Sequence, residues 1–300
     1  MTGIWFNNEV NMERVASAKL EDHMLGVESL AFTSDSKALF SASLDRKVLL
    51  WDTERKGVIR NWEGDSAWHS IAMGRSGLLA CVGAEGLVKL IDPRASAAAG
   101  VAKLGLKKAF CVKWRGEELV LAGSEGVVEL RDARGALKKT YRAASEAIYD
   151  LRVEEEGITL ASVEGELIFL SRELDFEANH RAGEGDLRAL ATVGRRVFAS
   201  SSPGILCEYE RNQSGLKQTK SIHAHMARIN CLEEMDAPAA KMLVSGSRDA
   251  TALLWNLEDL SFRHNLVGPL DQVACAKFSP DAKLIALASW DTNVYLYSAA

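Results

Sequence analysis

The chain has 300 residues, 47% of them apolar, and a formal charge of −5. That is ample material for a large core, and the acidic balance offers no broad basic face for nucleic acid. No run approaches the roughly 18 apolar residues that a spanning helix needs, so no membrane insertion is expected.

The opening MTGIWFNNEVNMERV lacks a basic stretch followed by a long apolar one, so no signal peptide is expected. Ile4-Trp5-Phe6 precedes any repeat and reads as packing on a closure seam or as a short partner-binding tail. Residues 27–52, VESLAFTSDSKALFSASLDRKVLLWD, show the repeating unit best. Val27, Leu30 and Phe32 make a first strand, Leu39–Ser43 a second and Val48–Trp51 a third, each separated by turn residues. A fourth follows at Val58–Trp62. Short strands broken by turns every 8–12 residues signal an all-β fold.

A fixed frame recurs down the chain, with a turn residue followed six positions later by a bulky one. It reads Asp45…Trp51, Glu85…Ile91, Glu125…Arg131, Glu164…Leu170, Pro203…Tyr209, Asp249…Trp255 and Asp291…Tyr297. The bulky positions lie 40, 40, 39, 39, 46 and 42 residues apart. A period near forty with Trp-Asp-like endings is the signature of four-stranded propeller blades. The expectation is one seven-bladed ring, with repeats at 22–63, 64–104, 105–143, 144–182, 183–222, 223–266 and 267–298. Blade seven lacks a fourth strand after Tyr297-Ser298, and the segment 14–20 is expected to supply it, which removes two open sheet edges. Gly86, Gly126, Gly165 and Gly204 follow the turn position in four blades, where positive φ is wanted. The longest interval carries an insertion at 233–240 that reads as an acidic, proline-bearing solvated loop, or else as a docking loop for a basic partner.

On these residues the chain resembles the WD40-repeat family over roughly residues 15–298. The resemblance implies a hydrogen-bond network in which a His, a Ser or Thr, the turn Asp and the Trp join within one blade. Blade one matches with His23, Ser41 or Ser43, Asp45 and Trp51. Blade six matches with His225, Ser245 or Ser247, Asp249 and Trp255. Blade seven keeps Asp291 but has Pro269 and Tyr297 in place of His and Trp, and blade five has Pro203 in place of the acid. Ala288–Tyr295 is also similar to single blades of mitotic-checkpoint propellers and of BEACH-domain proteins.

No catalytic motif survives inspection. His223-Ala224-His225 has a spacing that suits a metal on one strand face, but no Cys or carboxylate supports it, so neither metal nor cofactor is expected. Five cysteines without a CxxC pair fit reduced thiols in the cytoplasm or nucleus. Lys103, Lys107, Lys108, Lys138 and Lys139 read as a solvated edge without interleaved aromatics.

The family resemblance implies that partners meet the narrow face, at the residue before each turn position and at the start of each first strand. Blades six, seven and one then bring together Met24, Leu44, Met226, Arg228, Arg248, Leu270, Gln272 and Trp290. Such a mixture suits an acidic or phosphorylated peptide with one bulky anchor, unless Trp290 packs on a neighbouring blade and the arginines pair with Asp186 or Glu184. The expected role is a non-catalytic scaffold, monomeric within a multiprotein complex. The alternative is a peptide or degron receptor, such as a substrate receptor of a cullin-type ubiquitin ligase. Asp92-Pro93-Arg94 and Asp132-Ala133-Arg134 resemble part of that receptors' W-D-x-R element, although an Asp-x-Arg also forms local ion pairs. An enzyme using the central channel is the third class, and it would need a small ligand held there.

Overall fold

The computed structural model describes residues 13–64, 66–95, 98–182, 185–212, 215–238 and 240–299. Ile4-Trp5-Phe6 and Glu184 lie outside them. Two short strands come first, β1 (Glu13–Val15) and β2 (Ala18–Glu21). Blade one is β3 (Val27–Phe32), β4 (Ala38–Ser43), β5 (Lys47–Asp52) and β6 (Val58–Glu63). Blade two is β7 (Trp68–Met73), β8 (Leu79–Gly83), β9 (Leu87–Ile91) and β10 (Ala98–Lys103). Blade three is β11 (Ala109–Arg115), β12 (Glu118–Gly123), β13 (Val127–Asp132) and β14 (Leu137–Arg142). Blade four is β15 (Ile148–Val153), β16 (Gly157–Ser162), β17 (Glu166–Ser171) and β18 (Phe176–Arg181). Blade five is β19 (Leu187–Val193), β20 (Arg196–Ser201), β21 (Ile205–Asn212) and β22 (Gly215–His223). Blade six is β23 (Ile229–Ala237), β24 (Ala240–Ser247), β25 (Ala252–Asn256) and β26 (Phe262–Val267). Blade seven holds β27 (Val273–Phe278), β28 (Leu284–Ser289) and β29 (Asn293–Ser298).

Each blade is an antiparallel sheet, and β2 supplies the outer strand of the last one, pairing with β29 from Ala18–Leu296 to Glu21–Asn293. The protein is an all-β, seven-bladed propeller whose ring is closed by an N-terminal strand. The N-terminal segment does more than the single strand expected of it. It breaks at Ala16-Ser17, and the preceding β1 runs parallel to β26 as a fifth strand on blade six. Arg14 Nη1 then donates to the carbonyl of Ser298 at 2.6 Å, so the segment ties blade six to blade seven.

The apolar core lies in the seams. Among the described residues seven clusters of buried side chains occur, and each joins two neighbouring blades. Leu20 of β2, for example, packs with Leu30 and Trp51 of blade one and Leu296 of blade seven. This explains why the second and third strands read as continuous apolar runs, since both of their faces are covered. Outer strands such as β14 and β18 face solvent and carry mostly polar residues, whereas β6 buries Trp62 and leaves Val58 and Ile59 exposed.

In six blades the turn before the third strand uses one of two chemistries, while blade five turns at Pro203-Gly204. In blades two, three and four a Glu precedes a Gly, and Gly86, Gly126 and Gly165 take positive φ of 61°, 66° and 80°. A Cβ on Gly86 would sit 2.1 Å from the carbonyl oxygen of Leu106, so the next blade's loop also requires glycine there. Blades one, six and seven instead place Arg46, Ala250 and Thr292 at φ of 70°, 67° and 76°. Left-handed backbone costs a non-glycine residue roughly 1–2 kcal/mol. An aspartate just before it offsets that cost, because the short side chain accepts the amide two residues on. Lys47 N, Thr251 N and Asn293 N donate to the Oδ1 atoms of Asp45, Asp249 and Asp291 at 2.8, 3.0 and 3.1 Å.

The 233–240 segment differs from expectation. Glu233–Ala237 continues β23, pairs with 240–244 of β24, and turns at Pro238. Its first two carboxylates face inward, and their charge is used inside the ring. They are not available to dock a basic partner.

Candidate protein-interaction face

The turn aspartates do a second job on the narrow face. Asp45 Oδ2 accepts the amide of Met24 at 2.9 Å, Asp249 Oδ2 that of Met226 at 2.8 Å, and Asp291 Oδ2 that of Leu270 at 2.7 Å. A serine fixes each of these loops from the other side. Ser43 Oγ donates to Gly26 O, Ser247 Oγ to Arg228 O, and Ser289 Oγ to Asp271 O, at 2.9, 3.0 and 3.0 Å. With both backbone edges held, the side chains at positions 24, 226 and 270 point outward. They are 74%, 86% and 81% exposed.

Beneath them lie the blade networks. In blade one, His23 Nδ1 meets Asp45 Oδ2 at 2.9 Å and Nε2 meets Ser41 Oγ at 2.7 Å. Trp51 Nε1 donates to the same Ser41 oxygen at 2.7 Å, while Ser43 serves the loop. With Nδ1–H donating to the carboxylate, Nε2 is left to accept the Ser41 hydroxyl proton. Blade six repeats this with His225 Nε2 and Trp255 Nε1 on Ser245, and adds Thr251 Oγ1 at 2.8 Å from His225 Nδ1. Both ring nitrogens of His225 are thus occupied, which leaves none for a metal. Blade seven substitutes Tyr295, whose hydroxyl donates to Asp291 Oδ2 at 2.8 Å, and Tyr297 donates to Val267 O.

Burial opposes ionisation of Asp45, but the His23 ring and the Met24 and Lys47 amides hold its carboxyl down to about 2, below the usual 3.8. Because the folded value lies below the unfolded one, the stabilisation is complete above pH 4 and is lost as pH falls toward 2. Wild type should therefore lose more stability than Asp45→Asn across that interval, read as urea midpoints at pH 4, 3 and 2.5. Parallel losses would show that this carboxylate contributes nothing.

The remaining residues read from the sequence fall on the same face but not all in one role. Leu44 and Gln272 are half-buried beside the loops. Trp290 is 41% exposed yet packed on Gly26 of blade one, where an added Cβ would stand 2.9 Å from its ring. Its indole also donates to the Glu28 carboxylate. Arg228 is half-buried, with Nε on Asn230 Oδ1 at 3.3 Å. Arg248 is exposed, and its side chain has no partner among the described residues. It is Arg188 that pairs with Asp186, at 2.6 Å, while lying 3.7 Å over the ring of Tyr149. Arg94 forms a local ion pair with Asp92 at 2.8 Å, and Asp132 accepts the Arg134 amide.

Sequence reasoning missed the channel lining. Every first strand carries a register shift at the same place, for instance between Val27 and Ser29, Ala109 and Cys111, and Val273 and Cys275. The extra residue of such a bulge is re-aimed. Glu28, His69, Phe110, Tyr149, Arg188, Asn230 and Ala274 accordingly line a cavity of about 280 Å³, Arg188 with its neighbour Ala189 inside the shift. Deeper in the channel, Arg152 reaches from blade four to blade six. It donates to Leu232 O at 2.8 Å and lies 3.7 and 3.8 Å from Glu233 and Glu234. Glu233 pairs in turn with Lys277 of blade seven.

The closed ring of four-stranded blades, with a row of exposed apolar side chains on one face, belongs to the propeller class. Three segments, residues 15–52, 216–256 and 260–298, match the WD40 family model, described as WD domain, G-beta repeat. The WD40 β-propeller domain of Doa1, a solved structure, is similar at TM-score 0.85 over 96% of this chain and 97% of that one. Its sequence is 16% identical, so the likeness concerns the fold alone. Protein SPIRRIG of Arabidopsis thaliana is 28% identical over 93 residues, which are 29% of this chain and 2% of that protein's length. The chain carries WD40 repeats in these three segments, within a seven-bladed propeller fold that generally serves protein interaction.

Proposed function

We propose that this protein is a non-catalytic scaffold that holds a protein partner on the narrow face of blades six, seven and one, within a cytoplasmic or nuclear assembly. The observation that carries this is the row Met24, Met226 and Leu270. Three large apolar side chains at equivalent loop positions of consecutive blades are held outward by the same hydrogen bonds. In blade three the equivalent Leu106 is buried, and in blade four the position is Ser145. Exposed methionine and leucine beside an aromatic and arginines suit the centre of an interface. Five unpaired thiols support a reducing compartment.

The test is recovery of a fixed-ratio partner set by affinity capture. The triple variant Met24→Ser, Met226→Ser, Leu270→Ser should lose it at unchanged thermal stability, while Lys107→Ser on blade three should keep it. Retention by the triple variant removes this face from the binding function. The receptor reading is favoured by one observation, the exposed Arg248, whose side chain has no partner among the described residues, beside Arg228. Under it, Arg228→Glu with Arg248→Glu would abolish binding, and a phosphopeptide would displace the partner.

A further inference from the structure

The cavity beside the apolar row has a chemistry of its own. Lys113 lines it from blade three, and its amine has no hydrogen-bond or ion-pair partner among the described residues. Burial, then repulsion from Lys277 and Arg152, pushes that amine down to about 8, against the attraction of the Asp150 and Glu233 carboxylates. Those two neighbours have counter-charges, Arg152 with Asp150 at 3.3 Å and Lys277 with Glu233. Among the described residues Lys113 is therefore a deep cation held by longer-range attraction alone, with no direct ion pair. Nearer the mouth, Arg228 is destabilised by burial and by Arg188, with Arg248 adding to the repulsion.

The opposite wall answers weakly. Burial raises the Glu28 carboxyl to about 7, and its hydrogen bond goes to Trp290. Between the cations, Phe110 and Tyr149 tilt against each other at 5.1 Å, with His69 5.8 Å beyond, and present apolar wall. A space of about 280 Å³ takes a side chain rather than a folded element.

We propose that this well receives the carboxylate of one glutamate from an acidic peptide lying across the narrow face. Lys113 is its deep partner, Arg228 stands at the rim with Arg248 beyond it, and the ligand's methylenes lie along the edge of the Phe110 ring. A buried cation that makes no direct ion pair among the described residues suits a monoanion, and the mouth residues Trp290 and Gln272 adjoin the apolar row that would hold the flanking residues. The assignment rests on the narrow-face reading and names the partner's chemistry.

The experiment uses capped heptapeptide pools with random flanks and a fixed central Glu, Asp, phosphoserine, Gln or Lys. Wild type should retain the Glu pool about tenfold over the Gln pool. Lys113→Met should erase that ratio without lowering the Gln signal, and Lys113→Arg should preserve it, with thermal melts confirming both folds. Equal retention of Glu and Gln, preference for Lys, or a Glu preference that survives Lys113→Met would each overturn the proposal. So would a phosphoserine preference over Glu. If wild type holds no pool while the triple serine variant still loses its protein partner, the well is refuted and the face stands. If the triple variant binds every pool as wild type does and keeps its partner, the face fails and the well stands.

Discussion

Arg152→Ala should cost about 3–5 kcal/mol of unfolding free energy, among the largest effects available to one substitution in this ring. The guanidinium is buried and touches Asp150, the Leu232 carbonyl, Glu233 and Glu234. Removing it leaves carboxylates facing a closed interior, and that desolvation is the expensive part. Glu234 already shows the strain, since burial raises its carboxyl above the ordinary range and one of its oxygens lacks a hydrogen bond. Glu234→Gln in the Arg152→Ala background should therefore recover about 1 kcal/mol. Urea unfolding reads both, and a cost below 1 kcal/mol for the first would remove the cross-channel cluster from what holds the ring.

Leu20→Ala should cost about 2–5 kcal/mol, as for other buried leucines. The side chain is 1% exposed in the seam between blades seven and one. Val15 is on the same N-terminal segment but 75% exposed, and Val15→Ala should stay within about 0.5 kcal/mol. The contrast separates a strand that is part of the cooperative unit from one that merely lies against it. Equal small costs would mean that β2 frays without opening the ring.

The ring itself was legible because its signals are local and repeated. The frame from Asp45 to Trp51 needs only a turn and one strand, and it recurs seven times. The outward row was partly legible, since Met24, Met226 and Leu270 follow positions that the family pattern marks. The channel was not. A bulge re-aims the extra residue of each first strand, so Phe110 and Tyr149 face the cavity although neither the strand alternation nor the turn frame marks them. The bulged residues also share no chemical type, from Glu28 to Ala274, so no periodicity betrays them. The Arg152–Glu233 contact joins blades that are not neighbours, and nothing local marks it. For the same reason the acids at 233 and 234 looked like a solvated loop, although their partners lie on the far side of the channel.

The hydrogen bonds at positions 24, 226 and 270 involve only the main chain of those residues. The turn aspartate reads an amide and ignores the side chain attached to it, and each exposed group packs little against the ring. Identity at these three places is thereby uncoupled from folding. Such positions can be rewritten freely, so a change of partner need not pass through a less stable intermediate. The propeller offers interchangeable characters on a fixed frame, and its specificity can drift while its architecture stays constant.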